Sequence, residues 1–175
     1  VSSGADAMML SAESSVGKYP VSSIKMMDRA IRYTESYRWR QGIFGTFGLD
    51  KNESPPLDFG DAISNATSLL SRDLLVRAIV VVSRSGVSAV TVSSARPSAP
   101  IIGITDRKDT WSKMQLMWGL IPCYVRSINL GNINQLARQK TKAYQLAARG
   151  DYILLVQGFH ANKLENTPSV SVLQV

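Results

Sequence analysis

The stretch AIVVV at residues 78–82 runs directly into SRSGVS at residues 83–88. A continuous apolar and mainly β-branched run is typical of a strand that is covered on both faces. The segment from Val87 to Arg96 then has the pattern of a short helix, which Pro97 stops. A buried strand, a hydroxyl-rich turn and a helix together predict the repeating unit of an α/β domain.

Helix and strand patterns alternate from residue 57 onward. Asp58 is the predicted N-cap of the first helix, because its side-chain oxygen can accept a backbone N–H there. Helices between strands at this spacing imply right-handed crossovers and a mainly parallel sheet with helices on both faces. The last strand should be antiparallel or at an edge, because a polar loop precedes it. We predict an α/β three-layer sandwich of about five strands, at residues 78–82, 100–105, 121–125, 151–156 and 170–175, with helices including 110–118 and 133–148.

The first twenty residues have the pattern expected for the end of a larger domain. Residues 5–10 have the pattern of a short buried strand, and the polar turn at 11–15 follows it. Pro20 then stands where a helix begins, since its missing N–H is unpaired at that position anyway. A buried strand needs a partner on each side, so the sequence predicts that the chain starts in the middle of a domain. We expect the strand to fray, rearrange or pair with another chain if its partners are absent.

The composition of residues 37–56 indicates a connection between two packed units. It contains three glycines, a polar run and the pair Pro55-Pro56. The predicted organisation is therefore a strand-helix unit at 1–36, a linker at 37–56 and an α/β domain at 57–175.

The bulk properties exclude several classes of protein. The apolar fraction of 45% and the charged fraction of 19% are those of a globular chain. No apolar run reaches the length of about 18 residues that spans a bilayer, so no membrane association is expected. Cys123 is the only cysteine, which excludes an intrachain disulfide and a four-cysteine metal site. A single thiol is consistent with a reducing cytoplasm, where we expect the protein to lie.

The net charge of +7 raises the question of nucleic acid. The basic residues are scattered without interleaved aromatics, so no nucleic-acid partner is predicted. Residues 110–150 contain no Asp or Glu, which can steer a phosphorylated small molecule or an acidic partner towards the chain. A solvated basic face is the simpler interpretation and the one we favour. The unopposed cations include Lys113, Arg126, Arg138, Lys140, Lys142 and Arg149.

The turn at residues 83–88 is the best candidate for a binding site. Ligands of open α/β sheets sit beyond the carboxyl ends of the strands. Exposed N–H groups and the positive end of the dipole favour an anion at a helix N-terminus, and a phosphate monoester is the natural ligand. A serine-capped turn without any ligand is an equally good interpretation of the spacing. The candidate phosphate-binding residues are Ser83, Arg84, Ser85, Gly86 and Ser88.

Other polar residues are weaker candidates. Ser11 and Glu13 follow the first strand, where barrel enzymes place working residues, and they can relay a proton or order water. N-capping of the next helix by Glu13, Ser14 or Ser15 is the favoured interpretation of this turn. His160 lies in a polar loop without a second histidine or a cysteine nearby, so a solvated loop residue is expected. Asp106 and Asp109 are most simply turn and N-cap residues.

The segment GADAMMLSAESSVGKYP at residues 4–20 closely resembles the eighth strand and turn of the pyruvate kinase barrel. The rest of the chain is similar to the C-terminal domain of the same family. The matching pieces are residues 78–83, the turn 83–88, Ala95-Arg96-Pro97 with residues 99–102, Trp118-Gly119, Gly150-Asp151-Tyr152 and Gln157-Gly158-Phe159.

The resemblance implies a glycolytic enzyme that transfers a phosphoryl group from phosphoenolpyruvate to ADP with Mg²⁺ and usually K⁺. It also implies a tetramer built partly through the C-terminal domain. The family's metal ligands, its phosphate-binding cations and its nucleotide contacts lie on segments that this sequence does not contain. The chain alone is therefore expected to bind no metal and to be inactive. Ser11 and Glu13 then become remnants of an active-site rim, with Ala12 in place of a common glycine.

In the same family, the turn matching residues 83–88 holds a phosphate of an allosteric sugar phosphate, commonly fructose 1,6-bisphosphate. Val87 departs from the polar or basic residue that is frequent in such members. The loop 159–167 also lacks the glycine-bearing sequence that closes over the effector. A different phosphorylated effector, or none, stays open. A freestanding sugar-phosphate or nucleotide-binding module and a purely structural assembly domain are the alternative functions.

Overall fold

A computed structural model describes residues 5–41, 56–159 and 167–175. The chain divides into two compact units, Val1–Phe44 and Gly45–Val175. His160, nearly all of the loop 159–167 and most of the predicted linker 37–56 lie outside the described residues, so their predictions stay predictions.

The first unit contains two helices, α1 (Ala12–Ser15) and α2 (Pro20–Arg40). Pro20 begins α2, as predicted, because proline is compatible with the first helical position. The apolar stripe fades at Ser36, which is the predicted end of the strand-helix unit. The helix itself continues four residues further, to Arg40.

The predicted strand at residues 5–10 is not formed, and this corrects the expectation of a strand-helix unit. Residues 5–10 have no strand pairing, and Met9 is 88% exposed. The physical reason is the one given above: an isolated strand leaves its backbone groups unpaired. An open cleft of ≈ 480 Å³ lies between the end of this segment and α2, and its lining residues are Leu10, Ser22, Ser23, Met26, Met27 and Ala30.

The second unit alternates helices and strands in the predicted order. A 3₁₀ turn at Leu130–Asn132 leads into its last helix. The helices are α3 (Phe59–Asp73), α4 (Val87–Ser94), α5 (Lys108–Met114) and α6 (Ile133–Ala143), and the strands are β1 (Ala78–Val82), β2 (Ile101–Thr105), β3 (Leu120–Tyr124), β4 (Tyr152–Gln157) and β5 (Ser169–Gln174).

The five strands form one sheet in the order β3-β2-β1-β4-β5. The first four strands are parallel, and β5 is antiparallel to β4 at the edge. The predicted mainly parallel sheet with an antiparallel last strand is therefore confirmed. Since the chain moves from β1 to one side and later returns to the other, β1 and β4 flank the point where the strand order reverses.

Two apolar layers enclose the sheet and complete the predicted three-layer sandwich. One face of the sheet packs against α3, α4 and α5, and the other packs against α6. The side chains of Ile79 and Val80 point to opposite faces and are both fully buried. Burial on both faces explains why β1 reads as an unbroken apolar run.

Candidate functional site

The turn after β1 is closed by its own hydroxyl groups. Ser83 follows the strand directly and is 3% exposed, and its Oγ accepts the N–H of Gly86 at 3.1 Å. The Oγ of Ser85 accepts the N–H of Val87 at 3.4 Å. Two of the three predicted hydroxyls thus hold the turn in shape.

Gly86 is the N-cap of α4 and has φ +91°. Side chains other than hydrogen are strained in this conformation, which explains why glycine occupies the position. A Cβ built there comes no closer than 3.5 Å to Thr110 Cγ2, so backbone conformation rather than space is the constraint. The turn therefore leads directly into α4, whose first backbone N–H groups have no acceptor within the helix.

Ser88 differs from the other two serines of the turn. It lies in the first turn of α4 and is 3% exposed. Among the residues that the structure describes, none makes a hydrogen bond with the Ser88 hydroxyl. The residue as a whole is buried, but its hydroxyl is not among the fully buried side-chain atoms without a partner in the described part of the chain. Together with the helical N–H groups of the first turn, it provides donors that an anion can use.

Arg84 is held at two points by the next βα unit. Its carbonyl accepts a hydrogen bond from Thr110 Oγ1 at 2.7 Å, and Thr110 belongs to α5. Its guanidinium Nη2 lies 3.2 Å from Oδ2 of Asp106, which follows β2. Sequence reasoning treated Asp106 as a plain turn residue and missed this ion pair. Strand order is the information that could have indicated this pair. The carboxyl ends of neighbouring parallel strands meet at one edge of the sheet, and Arg84 and Asp106 follow two such strands.

The residues after β4 lie at the same edge. Gly158 has φ +87°, and its carbonyl accepts the N–H of Thr167 at 3.0 Å. Phe159 packs against the apolar layer that contains α3 and α4. The N-terminus of α3 is close by, because a Cβ on Gly60 would lie 3.4 Å from Thr91 of α4 and 3.9 Å from Phe159. The turn at residues 83–88 thus sits at the switch point of the sheet, where α/β domains bind ligands.

Asp58 caps α3, as predicted. Its carboxylate accepts the N–H of Gly60 at 3.1 Å. The predicted N-cap role of Asp109 is wrong: Arg107 is the N-cap of α5, and Asp109 lies in the first helical turn. An acidic side chain in that turn still interacts favourably with the helix dipole.

Ser11 and Glu13 form a local capping arrangement around α1. The Glu13 carboxylate accepts the N–H of Ser11 at 3.1 Å. Hydrogen bonds from the backbone N–H groups of Glu13 and Ser11 hold the pKa of this carboxyl below its usual range. The hydroxyls of Ser14 and Ser15 donate to the Ser11 carbonyl. These bonds stay within residues 11–15, so none of them caps the next helix α2, which begins at Pro20.

The unopposed basic residues do not share one surface. Lys113 is on α5, whereas Arg138, Lys140 and Lys142 are on α6, which covers the opposite face of the sheet. Arg138 Nε donates to the Gln174 carbonyl at 2.8 Å. Lys113 therefore lies on the opposite side of the sheet from the three basic residues of α6.

Two of the sequence pieces that carried the resemblance meet in the structure. Arg96 is 7% exposed, and its guanidinium carbon lies 4.7 Å from the ring centroid of Trp118. Ser93 Oγ donates to the Trp118 carbonyl at 2.7 Å. Stacking of this kind stabilises the packing of α4 against the loop before β3.

Two further features are absent from the described residues. None of their His, Cys, Asp and Glu side chains forms a group of three or more that could hold a metal ion. Neither α2 nor any other helix within the described ranges combines the length and apolarity that a bilayer crossing requires.

The sheet order and the helical layers define a doubly wound α/β domain, with the turn 83–88 at its switch point. Residues 61–173 match the family described as "Pyruvate kinase, alpha/beta domain". The chain belongs to the pyruvate kinase family.

Individual relatives agree with this assignment. Two pyruvate kinases of Agrobacterium vitis are 30% and 32% identical over 98% of this chain, and one of Thermotoga maritima is 30% identical over 98%. In each case the chain spans about a third of the relative, 35% of its length. The solved structure of Cryptosporidium parvum pyruvate kinase in complex with ADP covers 72% of the chain with a TM-score of 0.63 at 20% identity, which supports the fold.

Proposed function

We propose that this chain is the regulatory part of a pyruvate kinase and that it binds a phosphate monoester at the turn 83–88. Membership of the family supports the first half of the proposal. The hydroxyl-rich turn at the N-terminus of α4, with Ser88 buried in the first helical turn and Arg84 beside it, is the observation that carries the second half. The turn also lies at the switch point, and a glycine with positive φ directs the N-terminus of α4 towards it.

The longer protein would transfer a phosphoryl group from phosphoenolpyruvate to ADP in the cytoplasm, as a tetramer. Mg²⁺ and K⁺ would be held by its other segments. We expect no turnover from the 175-residue chain itself, because phosphoryl transfer depends on positioned metal ions and cationic groups. A lactate dehydrogenase-coupled pyruvate assay tests this expectation, and turnover above a no-enzyme control contradicts it.

Calorimetric titration tests the binding site. We expect at least one of fructose 1,6-bisphosphate, ribose 5-phosphate and AMP to bind the chain. Ser85→Asp should abolish binding, because it places a carboxylate beside the phosphate, and Arg84→Glu should act in the same way. Ser94→Asp is the matched control, since Ser94 is exposed at the other end of α4.

The competing functions predict different results. A purely structural assembly domain predicts no heat with any of the three compounds. Tight binding that survives Ser85→Asp and Arg84→Glu places the ligand elsewhere and refutes the proposed site. An open reading frame without a barrel upstream of residue 1 favours a freestanding binding module.

A further inference from the structure

The cation of the proposed phosphate site is already paired. Arg84 Nη2 and Asp106 Oδ2 are 3.2 Å apart. The two partners differ in exposure, because the Arg84 side chain is 68% exposed and the Asp106 side chain is 18% exposed. The Arg84 side chain thus remains largely in solvent, whereas its carboxylate partner is mostly buried at the end of β2.

A phosphate at the turn would compete for the same guanidinium. Arginine pairs well with both carboxylate and phosphate, because its planar fork matches either group. While Asp106 holds Nη2, fewer of the five guanidinium donors are available to a phosphate. The Asp106 carboxylate also brings a negative charge close to the turn, which opposes an incoming anion.

We propose that Asp106 is an affinity-lowering residue, which sequesters Arg84 from the anion site until a phosphate displaces it. This inference rests on the binding function proposed above and adds a control element to it. Affinity for a phosphate monoester is then set by an exchange of Arg84 between Asp106 and the ligand. The size of the effect is limited, because exposed ion pairs are weak.

A double-mutant cycle on the 175-residue chain tests the exchange. Ribose 5-phosphate and inorganic phosphate are titrated calorimetrically into the unchanged chain, Asp106→Asn, Arg84→Gln and the double variant. Asp106→Asn should bind ribose 5-phosphate about three- to fivefold more tightly, as expected for an exposed pair. Arg84→Gln should bind it more weakly than the unchanged chain. Asp106→Asn should then give little further gain in the Arg84→Gln background.

Asp109→Asn is the matched control for charge. Asp109 is exposed in the first turn of α5, three residues along the chain from Asp106, and its substitution removes the same single charge. It should leave the affinity within about twofold. Circular dichroism of each variant ensures that only folded chains are compared.

The outcomes separate this inference from the function on which it rests. Ligand binding by the unchanged chain with no gain in Asp106→Asn overturns the role of Asp106 alone. An equal gain with Asp109→Asn, or an undiminished gain of Asp106→Asn in the Arg84→Gln background, overturns the exchange and assigns the effect to general repulsion. The absence of binding in all variants overturns the proposed binding function and this inference together.

Discussion

Thr110 Oγ1 donates a hydrogen bond of 2.7 Å to the backbone carbonyl of Arg84 and so fixes the turn after β1 to helix α5. The hydroxyl comes from a residue that is 5% exposed, 26 positions along the chain. The candidate site is therefore held by two successive βα units rather than by one loop.

Thr110→Val should destabilise the domain by about 1 kcal/mol. The change keeps the shape of the side chain and removes the donor, which leaves the Arg84 carbonyl without this partner. Urea denaturation measures the loss. Thr91→Val is the control, because Thr91 Oγ1 bonds only to the carbonyl of Val87 in its own helix. An equal loss in both variants contradicts a special role for Thr110.

Gly86→Ala should cost about 1–2 kcal/mol of stability and weaken ribose 5-phosphate binding. The cost arises from φ +91°, since the nearest atom to an added Cβ is at an ordinary contact distance. Gly119→Ala is the control, because Gly119 also has positive φ, at +64°, and has open space around it. It should lose stability while phosphate affinity stays unchanged. Unchanged binding in Gly86→Ala contradicts the prediction.

Leu75→Gly should stabilise the domain by about 0.5–1 kcal/mol. Leu75 follows α3 with φ +49° and is 81% exposed, so its side chain gains little from packing. Glycine removes a conformational penalty of about 1–2 kcal/mol and adds about 0.4–1 kcal/mol of chain entropy to the unfolded state. Thermal denaturation should show a higher midpoint, and a lower midpoint contradicts the argument. Exposed Leu69 within α3 is the control position, where glycine should destabilise.

Tyr144 should ionise above the ordinary range of tyrosine. Partial burial raises its pKa first, and the neighbouring Cys123 thiol raises it further. Because the folded state holds this proton more tightly, the contribution to stability is complete below pH 10 and is lost as the pH rises through the folded pKa. Carbon-13 NMR of the Tyr144 ring follows the titration. Cys123→Ala should lower the pKa only partly, and an unchanged value contradicts the assigned contribution of Cys123.

The strands were predictable because their signal is local. β1 was placed at its observed bounds, and β2 was placed within one residue, since burial on both faces demands unbroken apolar runs. Helix ends were less predictable. The helix predicted at 133–148 ends at Ala143, because Gln145 turns the chain with φ +57° and no glycine marks the stop. Leu146 continues the apolar pattern by packing into the core beyond the helix.

The residues of the candidate turn were predictable, but their interactions were not. A hydroxyl-rich turn before a helix is visible in the sequence around Ser83. The pairing of Arg84 with Asp106 depends on which strands are neighbours, and strand order is a property of the whole sheet. Residues 5–10 form no strand, in line with the expectation that this segment frays or rearranges without a pairing partner, because pairing requires a neighbour that a local pattern does not reveal.

The position of β1 in the middle of the sheet has a consequence for synthesis on the ribosome. Ile79 pairs with Ile101, 22 positions later, and with Leu154, 75 positions later. The innermost strand is thus synthesised first among the five, and its second neighbour is synthesised only after β2 and β3. Because distant pairings form slowly, a nascent chain that has emerged only as far as β3 exposes one flank of its central strand to other chains.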